Sequence, residues 1–430
     1  MIPERVRSVS DPVASISADT GVTMPDPFTP VSRRQILTLT AAAWVAGTTR
    51  RLAAETAPLT ADQLVSGKSA ELKVIESSPI VLETPLSRLA SSQITPVSHL
   101  FVRNNQDLEG ANTTAALDAA NWTLDVAADE GPVRKLSLAA LQSLPQTTVQ
   151  MVLQCSGNSR YRFAETSPVK GTPWGDGGVG NVEFGGVRLS TVLAHLKVQI
   201  PGTTTYLLAQ GQDKPKPGKE DFEHSLPIGD VLGRSILATT LNGQPIPAIH
   251  GGPLRLITPG YFGTMQVKWL SRIGFTSEES ANDYHASKYR MPLGRLTPGS
   301  DYTYARANSR AGWKMNIKSL VLLDADARFP VDREVTLSGV AFNDGACPIE
   351  TVLISLDRGM SWRPVPLERP ESAYAWSRWT WKTELPAGPH EVWSRAIDEM
   401  GRSQPIDGAR IWNPAGYEFN AVDRKRFVVS

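Results

Sequence analysis

Short apolar blocks, broken by Gly, Pro and Asn/Asp turns, run through the chain from residue 75 onward. The first, in SSPIVLETPLSRL, marks the start of ordered structure. Residues 100–102 make an apolar strand that ends in a cation and two amides, Arg103, Asn104 and Asn105. Strands are predicted over 122–126 and 147–153, with a short helix over 136–144 between them. Residues 187–196 carry apolar side chains at helical spacing, which sets His195 on or beside a packed helix. A further strand covers 204–209 and leads into Gly211-Gln212-Asp213. Helix and strand mix without a regular βαβ rhythm. From residue 331 the pattern changes: Val335, Leu337, Gly339 and Ala341 alternate, then Val352, Ile354 and Leu356, and strands follow over 376–385, 391–397 and 424–429. About five strands at roughly 10–15-residue spacing predict an antiparallel sandwich. The fold class is therefore α+β. A polar lead-in spans 55–74, a mixed α/β domain 75–295, and an immunoglobulin-like β-sandwich 296–430.

A length of 430 residues exceeds one ordinary core, in keeping with two domains. A net charge of +1 argues against general nucleic-acid binding, which needs a strong basic excess. The two cysteines, Cys155 and Cys347, exclude a disulfide framework, and Cys347, in the turn over 343–348, reads as structural. Without a CxxCH no covalently attached c-type haem is expected in this chain. No GxGxxG follows a strand and precedes a helix, and P-loop, HExxH and GxSxG patterns are absent.

The N-terminus reads as an address. Ser32-Arg33-Arg34-Gln35-Ile36-Leu37 is a twin-arginine pattern, followed by an apolar run over 36–47 and small residues around Ala53 and Ala54. About a dozen apolar residues are too few to span a bilayer, which takes about 20. Residues 1–54 are expected to be a twin-arginine export signal with a long leader, and the chain to be periplasmic with no membrane span.

Three segments carry candidate chemistry. In 147–174 a strand delivers Cys155 into a Ser-Gly-Asn turn, with Arg160, Arg162, Lys170 and Trp174 close behind. A thiol ringed by cations is biased toward thiolate, which serves as a nucleophile or as a soft-metal ligand. In 248–269, AIHGGPLRLITPGYFGTMQVKW holds His250, Arg255 and Lys268 between glycine turns, a frame suited to an anionic ligand. In 282–290 a polar loop offers Tyr289 as a phenol at a site mouth. Six tryptophans between 362 and 412 serve either the sandwich core or an interface.

These segments resemble the sulfite oxidase family of molybdopterin enzymes. The resemblance covers FVRNN, LQCSGN with Arg160, VKGTPWGDGGVGNVEFGGVRL, LNGQPIPAIHGGPLRLITPGYFGTMQVKWLSRIGF, and at the far end LISLDRGMSW and WNPAGYEFNAV. It implies a molybdopterin-binding catalytic domain followed by a dimerisation domain, and a molybdopterin carrying one molybdenum. By position it implies that Cys155 is the metal's protein ligand, that Arg103, Arg160 and Tyr289 surround the substrate, and that Lys170 and Trp174 line the same pocket. Phe101, Val102, Arg103, Asn104 and Asn105, with Asp213, His250, Arg255, Gln266, Val267 and Lys268, match segments that hold the pterin and its phosphate. The implied activity is oxidation of sulfite to sulfate, with electrons passed to an external c-type cytochrome by a two-fold homodimer.

The chain departs from the family pattern at three places. Asn105 stands where many sulfite-oxidising members have histidine. Lys288 precedes Tyr289 where animal members have an acidic residue, and Ala415 stands where those members have arginine. Loss of a positive charge from the anion pocket keeps a second substrate in view, sulfane sulfur bound to a carrier protein in a thiosulfate-oxidising complex. A subunit that binds cofactor or partner without turnover is the reading from another class, and the retained Cys155 argues against it.

Overall fold

The structure, a computed structural model, describes residues 59–105, 119–128, 131–213, 218 and 220–430. Ala57–Ser430 forms one compact unit. The expected export signal, residues 1–54, lies outside the described residues. No helix among the described residues is long and apolar enough to cross a membrane.

The segment expected as a polar lead-in is instead part of the core. In α1 (Ala61–Leu64) the side chain of Gln63 accepts the Thr60 N–H at 2.8 Å, fixing the helix start. Ala61, Val65 and Leu72 then pack with Leu82, Val102 and Ile249. These apolar residues are spread thinly among polar ones, so composition hides a segment that covers one face of a small sheet. That sheet is antiparallel, in order β1 (Lys73–Ser77), β2 (Ile80–Glu83), β3 (Val102–Arg103), with α2 (Leu86–Ala90) between the last two.

The next strands along the chain are β4 (Thr123–Ala128), β5 (Arg134–Ser137), β6 (Gln146–Gln154), β7 (Val179–Arg188), β8 (Tyr206–Gly211), β9 (Glu223–Pro227), β10 (Ile236–Leu241), β11 (Gln244–Pro245), β12 (Arg255–Ile257) and β13 (Leu270–Thr276). One sheet has the order β11-β10-β7-β6, with β12 also on β10, and the other the order β5-β4-β13-β8-β9. Helices α3 (Leu138–Gln142), α4 (Leu189–His195) and α5 (Ile228–Arg234) bury Leu138, Leu141, Val192 and Val231 in the shared core. His195 ends α4 and is exposed. In β6 the last residues, Met151, Val152, Leu153 and Gln154, are all buried, because β7 pairs the strand along its full length down to Gln154↔Val179.

After α6 (Asp283–Ala286), strands β14 (Arg290–Pro292) and β15 (Ser309–Ala311) pair, and Ala311 packs into the first domain's core. The boundary expected at residue 296 falls inside that connection. The sandwich begins at β16 (Lys318–Val321) and continues through β17 (Arg328–Phe329), β18 (Val335–Phe342), β19 (Ile349–Ser355), β20 (Arg363–Val365), β21 (Leu367–Glu368), β22 (Ser377–Thr383), β23 (Gly388–Asp398) and β24 (Asp423–Val429). Its sheets run β16-β18-β22-β21 and β17-β24-β23-β19-β20, closed on a core that includes Val335, Leu337, Val352, Trp379 and Phe427.

Of the six tryptophans, Trp376, Trp379, Trp393 and Trp412 are buried within this chain. Trp376 packs with Leu86, Val152, Phe262 and Leu320, and so seals the sandwich against the first domain. Truncation of such a side chain costs about 3–5 kcal/mol. Internal packing thus accounts for four of the six tryptophans, while Trp362 and Trp381 are half-buried.

Candidate active site

Cys155 sits where β6 turns. Its N–H donates to Gly178 O at 2.9 Å, and its carbonyl accepts the Asn158 N–H at 2.9 Å. Asn158 Oδ1 in turn accepts the Gly178 N–H at 2.9 Å. The turn is thereby tied to the start of β7 before Ser159, at φ 69°, reverses the chain into the 3₁₀ turn Arg160–Glu165.

A pocket opens over this thiol, a concave site lined by apolar side chains and a few convergent polar groups, as small-molecule and cofactor sites are. Phe101, Arg103, Asn104 and Asn105 line it from the end of β3. His250, Arg255, Gln266 and Lys268 line it from the glycine-rich segment, and Asp213 and Tyr289 line it as well. Asn105 Oδ1 accepts from Arg103 Nη2 at 2.9 Å and from Tyr289 Oη at 2.8 Å. One amide oxygen therefore orients both a guanidinium and a phenol. Lys268 Nζ donates to Ile249 O at 3.0 Å, Arg103 O at 3.2 Å and Asn104 Oδ1.

Other expected site residues stand off the pocket. Val102 lies in the β1–β3 core and Val267 in the main core, because each points to the opposite face of its segment from its polar neighbours. Trp174 is fully buried behind Phe101, edge to face at 5.9 Å. Lys170 is exposed, its backbone N–H on Pro414 O at 2.9 Å. Arg160 is buried behind Cys155, with Nε on Ala415 O at 3.2 Å and Gly416 O at 3.1 Å, and Nη1 on Thr172 O at 2.8 Å. A Cβ on Gly157 would come within 2.8 Å of its Nη2, and one on Gly416 within 2.7 Å of its Cγ, so glycines shape its slot. Arg162 is neutralised elsewhere, by buried Asp176 at 3.1 Å and by Asp423.

Sequence reasoning missed three contributors. Lys68 Nζ, 4% exposed, donates to Leu100 O at 2.8 Å and Val97 O, and lies 2.6 Å from His250 Nε2. It sits in the segment taken for a tail. Tyr417, from the WNPAGY turn of the second domain, stacks on Tyr289 at 5.1 Å, and the Arg160 guanidinium lies 4.9 Å over its ring. The buried pair His224 and His285, 3.0 Å apart, backs Tyr289 and pocket-lining Thr264; nothing in the local sequence marks two histidines so far apart as neighbours.

The electrostatics favour an anion. Burial pushes Lys268 well below its usual range, with Arg255, Arg103 and Lys68 adding to the shift. Burial likewise lowers Arg255 to about 9 and Lys68 to about 7, and holds His250 neutral. Burial raises Asp213, the carboxylate of the pocket, to about 7, against the Phe222 N–H and Lys268. Buried cations with so little counter-charge are stabilised by a ligand that brings negative charge. The Cys155 thiol is also pushed up by burial, which outweighs Arg103, the Gly157 N–H and Arg160. The thiolate bias expected from the cations therefore does not hold for the protein alone.

Residues 111–284 match the family described as oxidoreductase molybdopterin binding domain, and residues 309–426 that described as Mo-co oxidoreductase dimerisation domain. The sulfite oxidase of Gallus gallus is 30% identical over 357 residues, covering 80% of this chain and 75% of that protein. The chain belongs to the sulfite oxidase family. Mitochondrial sulfite oxidase of Homo sapiens is 31% identical over 370 residues, covering 84% of this chain and 66% of that protein. This chain thus spans just under two thirds of that relative's length. In fold, this sulfite oxidase family chain also resembles the crystal structure of the sulfane dehydrogenase SoxCD from Paracoccus pantotrophus. The TM-score is 0.66 at 23% identity, over 82% of this chain and 87% of that one.

The pocket suits the family's molybdopterin. Arg255 Nε and Ser156 Oγ, on two residues that line it, are buried without hydrogen-bond partners, so polar atoms await a polar ligand. The cations match a phosphate. Cys155 offers one soft ligand, and no group of three or more His, Cys, Asp or Glu side chains stands ready to hold a metal among the described residues.

Proposed function

We propose that the protein is a sulfite:acceptor oxidoreductase that oxidises sulfite to sulfate at a molybdopterin-bound molybdenum and passes the electrons to an external c-type cytochrome. The observation that carries the proposal is the Asn105 junction, where one oxygen holds Arg103 and Tyr289 together beside Cys155. When bound, the metal centre supplies the two-electron chemistry. Cys155 would ligate it, while His250, Arg255 and Lys268 would hold the anionic end of the pterin and Asp213 a polar edge; the Gln266 amide is engaged by the backbone of Thr258 and Tyr261 and shapes the wall. Arg103 attracts the sulfite dianion and holds it by charge-assisted hydrogen bonds. Tyr289, fixed at φ 53° and stacked on Tyr417, holds a phenolic proton at the same spot. Arg160 contributes positive potential from behind, its Nε and Nη1 held by the carbonyls of Ala415, Gly416 and Thr172.

Carrier-bound sulfane sulfur is the second reading. It is favoured by Ala415, which brings only a carbonyl to Arg160 and no cation to the pocket. The proposal also includes export through the twin-arginine route to the periplasm, and a homodimer formed by the second domain. The test is purified, molybdenum-loaded protein with sulfite and an artificial one-electron acceptor. Turnover supports the first reading. Loaded protein that is inert with sulfite and active only with a persulfide-bearing carrier protein supports the second.

A further inference from the structure

Lys68 and His250 face each other in a way that admits two proton arrangements. Lys68 Nζ has three neighbours: Val97 O, Leu100 O at 2.8 Å and His250 Nε2 at 2.6 Å. An ammonium donates three hydrogens, two to the carbonyls and one to Nε2. His250 then carries its proton on Nδ1. A neutral amine donates two hydrogens to the carbonyls and presents a lone pair, so it accepts from Nε2–H and leaves Nδ1 bare. The carbonyls satisfy the lysine equally in both arrangements. The one consequence visible in the pocket is whether the ring, which lines it, carries an N–H or a lone pair on Nδ1.

We propose that Lys68 is a proton-linked latch for the cofactor's anionic end: binding of the phosphate group draws one proton onto Lys68 and sets His250 as an Nδ1–H donor. This rests on molybdopterin occupying the pocket. Atoms and charge balance simply. One proton from solvent binds Lys68, the His250 proton moves from Nε2 to Nδ1, and the added positive charge stands against the added negative charge of the ligand. Burial brings Lys68 to about 7 in the protein alone, so near pH 8 the neutral amine predominates until an anion stabilises the cation. The other charged groups facing His250 are Lys268 and Arg255, and Lys268 in turn faces Asp213 and Arg103. A phosphate monoester completes its second ionisation near pH 6, below the window in question.

The linkage predicts that cofactor affinity falls by up to tenfold per pH unit between about pH 7 and 9, because each binding event takes up one proton. The experiment compares the full chain with Lys68→Met and Lys68→Arg. Retained pterin is measured by the fluorescence of its oxidised form after gel filtration at pH 6 to 9. Titration of Asp213 and Lys268 acts on all three proteins. The expected result is that the parent loses pterin more steeply than either variant, by one unit of slope, and that Lys68→Arg retains more than Lys68→Met at pH 9. Equal slopes in parent and both variants would overturn the latch. Nitrogen-15 spectra of histidine-labelled protein at pH 8 give a readout free of turnover, with His250→Gln assigning the signal. His250 should be Nε2-protonated in the cofactor-free chain and Nδ1-protonated in the loaded one; the same tautomer in both overturns the proposal. A chain that binds no pterin at any pH fails the molybdopterin reading itself, a different outcome from pterin bound without the slope.

Discussion

Asn105→Ala is the sharpest probe of the site. The substitution removes the oxygen that accepts from Arg103 Nη2 at 2.9 Å and Tyr289 Oη at 2.8 Å. A hydrogen bond from a charged donor is worth about 1.5–3 kcal/mol and a neutral one about 0.5–1.5 kcal/mol. Arg103 and Asn105 are only half-buried, so water reaches the vacated space and the low ends apply. Their total, about 2 kcal/mol, corresponds to roughly 30-fold in kcat/KM. Arg103 keeps its bond to Asn104 O, so its loss is partial and the fold survives. The assay is steady-state sulfite oxidation with molybdenum content measured in the same samples. Asn105→Asp retains the acceptor and should lie closer to the parent. A fully metal-loaded Asn105→Ala protein within threefold of the parent would refute the claim that this amide organises the site.

Cys155→Ser should abolish turnover and leave the melting profile unchanged, since an alkoxide is a harder, more basic ligand than a thiolate; activity and circular dichroism decide it. Gly416→Ala forces a Cβ to within 2.7 Å of Arg160 Cγ at φ +62°, and should displace that side chain and raise the sulfite KM severalfold with less effect on the metal content. Lys68→Met should raise the melting temperature of the cofactor-free chain relative to the parent more at pH 6 than at pH 9. A buried lysine lowered from 10.5 to about 7 destabilises the fold fully below pH 7, and the penalty fades as pH climbs toward 10.5, because the unfolded chain holds the extra proton in that window; equal offsets at both pH values would contradict this. Light scattering of the full-length chain should give twice its 46.7 kDa mass across a dilution series, and a constant monomer mass would exclude the homodimer.

Much of the fold follows from residue pattern. The alternation through β18 and β19 and the block in β6 are visible because each face is buried in a regular way. The Cys155 turn and the 248–269 segment stand out because cations and glycines cluster in sequence. What escaped did so for physical reasons. Lys68 sits among polar residues, and its burial exists only once Val97 and Leu100 fold over it. Lys170 and Arg160 are ten residues apart in one motif, yet one is exposed and the other is wrapped by carbonyls from position 415 onward. The six tryptophans suggested an interface by type alone, whereas the seam with the first domain already covers Trp376.

The slot around Arg160 has a bearing on the order of assembly. Its walls come from Gly157 and Thr172 on one side and from Ala415, Gly416 and Tyr417 on the other. Arg160 is therefore fixed only once the turn from Asn413 to Tyr417 has folded against it. That placement belongs late in folding, and a stop codon shortly before residue 413 would leave most of the first domain's sequence intact yet open the slot around Arg160.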